Sequence, residues 1–373
     1  MKTGSLGSPS VGRCFLPDLS EVHPSLLEAM NRPMIPHRGH EMVELLKRLN
    51  VGLRQLFRTK RHVLIGTCTA TAFMEMAVRC GVRRRALCLV GGAYGERFAG
   101  LTEAVGKDVV RLNVPLGRTI EPEMIEDALK RSVVDAVTLV HSETSTGALA
   151  PLEELAAVVG EYEDVMLLVD GVTSVGASPV ESDKWGLDFT FTGSHGPLGL
   201  PPGMALGVAS ERMYERARQI PERGACLDLV AFQEAAEVSQ PTFTPAVPLL
   251  FGLEKQLLRI EDAGGIAARW DRHDSIRTAV ESWEETLGNG MGFRFLPDVG
   301  RRSWAVSCLE VPPEDNARHL AKELESAGFV VGSGYGKLKR ETLRIGHMGD
   351  HSLEETEDLL RALGSIVAGT EAE

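Results

Sequence analysis

No uninterrupted apolar run in this chain of 373 residues approaches the roughly 20 that a membrane-spanning helix requires. Basic residues are also in short supply. The 40 lysines and arginines stand against 52 aspartates and glutamates, for a formal net charge of −12. A general nucleic-acid binder needs a basic face for phosphate, so neither nucleic acid nor membrane is expected as a partner. The 6 cysteines are scattered without a Cys-x-x-Cys pair, which reads as reduced thiols and not as a disulfide framework. The Gly/Ser-rich stretch over residues 1–12 lacks the apolar segment of a secretory signal, so a cytoplasmic location is the expectation. There is no internal repeat. Metal-ligand spacing is missing too. His37, His40 and Glu41 flank a turn and His347 and His351 bracket Gly349, with no further ligands to close a site, so no metal is expected.

What remains is ordinary for a globular protein: 43% hydrophobic and 25% charged residues, in a chain long enough for a large core and about two domains. From residue 62 short apolar runs alternate with helical stretches. HVLIG, ALCLV, DVVRLNV, DAVTLVH and VMLLVD are separated by amphipathic segments, and LDFTFTG and MALGVAS follow. This alternation predicts an α/β fold with a seven-stranded, mostly parallel sheet covered by helices on both faces. The last two runs are close in sequence, which allows one antiparallel strand. One long helix, or two joined at Gly264-Gly265, is expected between about residues 246 and 290. A strand–helix–strand pattern and a final helix then predict a small C-terminal α+β domain. The expected organisation is a disordered lead-in at 1–14, a large domain at 15–265 whose N-terminal segment can pack on the small domain, and the small domain at 266–373.

Ligands of open parallel sheets bind at the carboxyl ends of the strands, so the residues there carry the functional reading. After HVLIG, Thr67 to Ala72 open a helix with small and hydroxyl residues, either an anion cradle or an ordinary cap. After ALCLV, Tyr94 stands among glycines, as a plate for a flat ligand or as a turn residue. After DAVTLV comes the polar cluster His141-Ser142-Glu143-Thr144-Ser145-Thr146, and after VMLLV comes Asp170. An acid emerging from the middle of a sheet can pair with the protonated nitrogen of a heterocycle. Together, cradle, plate, hydroxyls and acid match what pyridoxal phosphate needs. Gly332-Ser333-Gly334-Tyr335-Gly336-Lys337 mimics a phosphate loop in the wrong order and reads as a connection. Arg83-Arg84-Arg85 reads as solvated surface.

The motifs FLPDLSEVHPSLLEAM, TATAFMEMAVR, GGAYGERF, HSETSTG, LLVDGVTSVG, DKWGLDFTFTGS, LPPGMALGVAS and TLRIGHMG run in order over nearly the whole chain. In them the sequence resembles the class V aminotransferases of fold-type I, the group of the alanine–glyoxylate and serine–pyruvate enzymes. The resemblance implies a homodimer acting on a small amino or keto acid. It also implies a set of residue roles. Thr69, Ala70 and Thr71 match the phosphate turn, Tyr94 the ring-stacking aromatic, Thr144 a hydroxyl near the ring oxygen and Asp170 the partner of the ring nitrogen. Thr244 matches a phosphate contact given to the other subunit, and Arg344 the receptor of the substrate carboxylate.

One position departs from the family. Where the pattern has Gly-Ser-Gln-Lys before Pro-Pro-Gly, this chain reads Gly193-Ser194-His195-Gly196-Pro197-Leu198-Gly199-Leu200-Pro201-Pro202-Gly203. The lysine that links the family's cofactor covalently is therefore Gly196, and His195 replaces the glutamine. Asp18-Leu19-Ser20 replaces a Gly-Pro-Thr that approaches the substrate, and Gly171 a larger residue. Two functions follow as expectations. The first is a lysine-independent enzyme that holds pyridoxal or pyridoxamine 5'-phosphate non-covalently and uses His195 as proton carrier. The second is a catalytically silent homologue serving as a ligand-binding or scaffolding dimer.

Overall fold

The computed structural model describes residues 13–369. The apolar runs form the strands of a seven-stranded sheet: β2 (Leu64–Gly66), β3 (Arg85–Val90), β4 (Asp108–Asn113), β5 (Ala136–Val140), β8 (Met166–Asp170), β9 (Phe189–Gly193) and β10 (Ala205–Ala209), in the order β2-β10-β9-β8-β5-β3-β4. The expected antiparallel strand is β10, which runs against both β2 and β9. Every residue of β8, β9 and β10 is buried, because helices cover both faces of the sheet. One face packs on Leu45, Leu53 and Leu253, the other on Phe73, Phe98 and Met213. A small hairpin, β6 (Ser142–Glu143) with β7 (Ala148–Leu149), follows directly from β5.

A second sheet, of five strands, has the order β1-β13-β14-β12-β11. It comprises β1 (Arg13–Phe15), β11 (Arg294–Phe295), β12 (Val306–Glu310), β13 (Phe329–Ser333) and β14 (Thr342–Gly346). Phe15, Phe293, Leu343 and Leu359 share its core. The sequence reading missed three of these strands, the two-residue β11 among them. Gly332 and Ser333, read as part of a connection, end β13. Arg13 and Cys14, read as lead-in, lie in β1, which pairs in parallel with β13. Three residues whose partner lies at the far end of the chain leave no local periodicity to detect. The rest of that lead-in, residues 1–12, lies outside the described residues.

Between the sheets run two helices, Val247–Asp262 and Gly265–Trp283. The break falls at the expected glycine pair, both left-handed (φ 104° and 80°), a conformation only glycine adopts without strain. These helices hold the loop after β9 in place. Gln256 donates to the Leu198 carbonyl at 2.7 Å, and Arg269 to the Pro197 and Gly349 carbonyls. Asp350 binds the same group, with Arg259 at 3.0 Å, Arg269 at 3.1 Å and Arg272 at 3.7 Å. Burial alone would raise the Asp350 carboxyl, but Arg269 and Arg272 outweigh it and hold it at about 2.

Removing the acid leaves three arginines facing one another, largely out of water. Asp350→Asn is expected to destabilise the fold by about 3 kcal/mol in denaturant unfolding at pH 7. Because the folded carboxyl is depressed, its contribution in the wild type is present above the unfolded value and is lost as pH falls toward about 2. An unchanged unfolding midpoint in the variant would show that the cluster is not structural.

Candidate active site

A cavity of about 300 Å³ opens at the carboxyl ends of β5, β8 and β9, and Thr69, Tyr94, Thr144, Asp170, His195 and Gly196 all line it. Each arrives there for a local reason. Thr69 is the N-cap of the helix Ala70–Gly81, and its side chain makes no capping bond. The first N–H groups of a helix lack intrahelical partners, so Ala70 and Thr71, which also line the cavity, present an uncapped helix start suited to an anion.

Tyr94 is set by the helix Ala93–Ala104, whose start is capped from a distance. The Glu143 carboxylate accepts from the backbone N–H of Tyr94 at 3.0 Å and of Gly95 at 3.1 Å, while Ser145 Oγ accepts from Ala93 N–H at 2.9 Å. A Cβ on Gly92 would lie 2.5 Å from Glu143 Cγ, which explains the glycine there. The polar cluster after β5 is thus divided. Glu143 and Ser145 hold the helix, and Thr144 faces the cavity.

Asp170 ends β8, hydrogen-bonded in register between Val140 and Phe191. Its Oδ1 accepts from Val172 N–H at 2.9 Å, and its Oδ2 has no hydrogen-bond partner among the described residues. Burial raises its carboxyl to about 7, against the Val172 bond. A Cβ on the following Gly171 would lie 2.7 Å from Val175 Cγ2, so a larger residue does not fit this turn.

His195 follows β9. Its ring folds across Gly193, where a Cβ would stand 2.6 Å from His195 Cε1. Burial lowers the imidazole pKa, and Asp18 works in the opposite direction. Gly196 is left-handed (φ 66°), and a Cβ there would meet Met348 Sδ at 3.2 Å. Its carbonyl accepts from Ser20 Oγ at 3.1 Å.

Among the described residues lining the cavity there is no lysine. Lys184 pairs with Glu153 at 3.2 Å on the surface, and Lys255 lies on the helix Val247–Asp262. Arg344 does not line the cavity but stands next to Thr144, which does. Its Nε donates to the Ser333 carbonyl at 3.0 Å and its Nη1 to the Thr144 carbonyl at 3.3 Å. Thr244 is exposed and outside this cavity. The sequence reading missed Arg97, which lines the cavity and lies 4.7 Å from the Tyr94 ring centre. Its spacing of three residues from Tyr94 on one helix was the available signal. Among the described residues no three His, Cys, Asp or Glu side chains converge on a metal position, and no helix is long and apolar enough to cross a membrane.

Comparison with known proteins decides the family. The model of the class-V aminotransferases matches residues 95–338. An uncharacterized aminotransferase of Methanocaldococcus jannaschii is 34% identical, with 90% of this chain and 87% of that protein covered. The chain belongs to the class-V aminotransferases. Another relative, the serine–glyoxylate aminotransferase of Methylorubrum extorquens, is 27% identical over 97% of this chain and 91% of its own. The crystal structure of an alanine–glyoxylate aminotransferase from Nostoc superposes with a TM-score of 0.90 at 27% identity, covering 98% of each chain.

For a class-V aminotransferase the implied group is pyridoxal phosphate, and the cavity can be tested for it. An uncapped helix start, an aromatic wall and a buried acid with one free oxygen are the donors such a ring and phosphate require. These parts fit. The covalent anchor is the one part without a counterpart in the cavity.

The acid makes its own prediction. Because the folded Asp170 carboxyl is raised to about 7, the cofactor-free protein loses stability as pH rises from about 4 toward 7, where the unfolded chain releases its proton first. Asp170→Asn is expected to remove that loss and to stabilise the cofactor-free protein at pH 8 by on the order of 4 kcal/mol. Parallel unfolding curves between pH 4 and 8 for the two proteins would refute the assignment.

Proposed function

We propose that this class-V aminotransferase is a cytoplasmic homodimer acting on small amino and keto acids, of the alanine–glyoxylate or serine–pyruvate type, with its cofactor held non-covalently. The observation that carries the proposal is the joint one. Asp170, with a free Oδ2, faces the same cavity as the uncapped helix start, and the position of the usual amine is Gly196. The 6 free cysteines support the location.

The roles follow from the chemistry of each group. Ala70 and Thr71 bind the phosphate through backbone N–H groups, aided by the helix dipole. Tyr94 packs against the ring, and Thr144 donates toward the ring oxygen. Asp170 Oδ2 holds the ring nitrogen protonated, and Thr244 reaches the phosphate of the partner subunit's site. Arg344, whose Nη2 makes no hydrogen bond among the described residues, receives the substrate carboxylate. His195 moves the proton at the substrate Cα, since a buried imidazole whose pKa lies below the usual value is a neutral base at physiological pH. When bound, pyridoxamine phosphate supplies the transferable amine and an electron-withdrawing ring, and it needs no lysine to hold it.

Two outcomes test this reading. Protein loaded with pyridoxal phosphate is expected to lose it on prolonged dialysis and to gain no mass after borohydride reduction, because no side-chain amine is there to be trapped. A stable adduct on any lysine would overturn the non-covalent reading. Protein loaded with pyridoxamine phosphate is expected to yield the aldehyde form with glyoxylate or pyruvate, and His195→Ala is expected to slow that conversion about 100-fold or more. Failure of every keto acid to convert it, while the cofactor stays bound, would favour the second reading that Gly196 supports: a silent dimer that binds ligand without chemistry.

A further inference from the structure

The segment after β1 passes over the position of the missing lysine. Pro17, Asp18 and Leu19 line the cavity, Ser20 ties the segment to the Gly196 carbonyl, and the Asp18 carbonyl lies 3.9 Å from where a Gly196 Cβ would stand. Among the described residues, Asp18 and Asp170 are the carboxylates that line the cavity. Asp170 is at the floor. Asp18 stands at the mouth, exposed, and makes no hydrogen bond or ion pair among the described residues. The cations and titratable groups nearby do not neutralise it. Arg97 lies over the Tyr94 ring and forms no salt bridge among the described residues, its charge acting on Asp170; burial lowers the His195 imidazole against the pull of Asp18, and the Tyr94 hydroxyl is raised further above its ordinary range.

An unpaired carboxylate beside the reacting centre attracts a cation and repels an acid. We propose that Asp18 selects the substrate's side chain, and that the preferred amino substrate carries a second positive group, as a short diamino acid does. This rests on the function proposed above and refines its substrate class. A dicarboxylic amino acid is disfavoured at the same position, since its side-chain carboxylate would face the like charge of Asp18. A second ammonium instead forms a charge-assisted hydrogen bond with Asp18.

The test is calorimetric binding to the protein loaded with pyridoxal phosphate, at pH 7.5, using 2,4-diaminobutyrate, its neutral counterpart 2-aminobutyrate, and aspartate. Cofactor affinity is measured first, on the wild type and on Asp18→Asn. The diamino acid is expected to bind at least tenfold more tightly than 2-aminobutyrate, with aspartate weakest, and Asp18→Asn is expected to bring the first two within about twofold. Equal binding in the wild type, tighter binding of aspartate, or a preference that survives Asp18→Asn would each overturn the proposal alone. A wild type that fails to hold pyridoxal phosphate would overturn it together with the function on which it rests.

Discussion

A carboxylate buried at the end of a central strand with one oxygen unpartnered is costly to a fold. Asp170 is such a group, and the rest of the site is arranged around it. Its neighbours in the sheet, Val140 and Phe191, are fixed by strand register, so the acid cannot turn away without breaking the ladder. Its one bond, from Val172 N–H, leaves Oδ2 free. In the empty protein the cost is met by keeping the proton to about pH 7. A protonated ring nitrogen would meet it differently, by supplying the missing partner and the opposite charge. The stability lost to the buried acid would thereby become affinity for such a ring.

The surroundings of Gly196 show how a cavity lined by no lysine among the described residues is held together. The carbonyls of Gly196, Pro197 and Leu198 are each taken by a side chain: Ser20, Arg269 and Gln256. Asp350 gathers the arginines behind them. Met348 occupies the space where a side chain would begin, and the backbone there is left-handed, a conformation that costs any residue with a Cβ roughly 1–2 kcal/mol. The glycine is built into the packing, and His195 beside it has its ring lodged against the bare Cα of Gly193.

Much of this was legible in the sequence, for identifiable reasons. The seven buried strands announce themselves as continuous apolar runs, and strand ends in a parallel sheet point to the site without further information. Asp170, Tyr94 and the Thr69 turn were readable on that ground. What escaped depends on contacts between distant parts of the chain. The pairing of β1 with β13 leaves no local trace. Glu143 looks like one polar residue among several until the helix it caps is in place. Arg344 matches a motif, but only the fold shows two of its nitrogens bonded to backbone carbonyls, those of Ser333 and of the cavity residue Thr144.

The state of the ring nitrogen tests the central claim most directly. With pyridoxal phosphate labelled with nitrogen-15 in the ring, the nitrogen resonance of the bound cofactor reports whether it carries a proton. The account predicts a protonated nitrogen in the wild type from pH 6 to 8, and an unprotonated one when Asp170 is replaced by asparagine. An unprotonated nitrogen in the wild type, or one indifferent to the replacement, would contradict it.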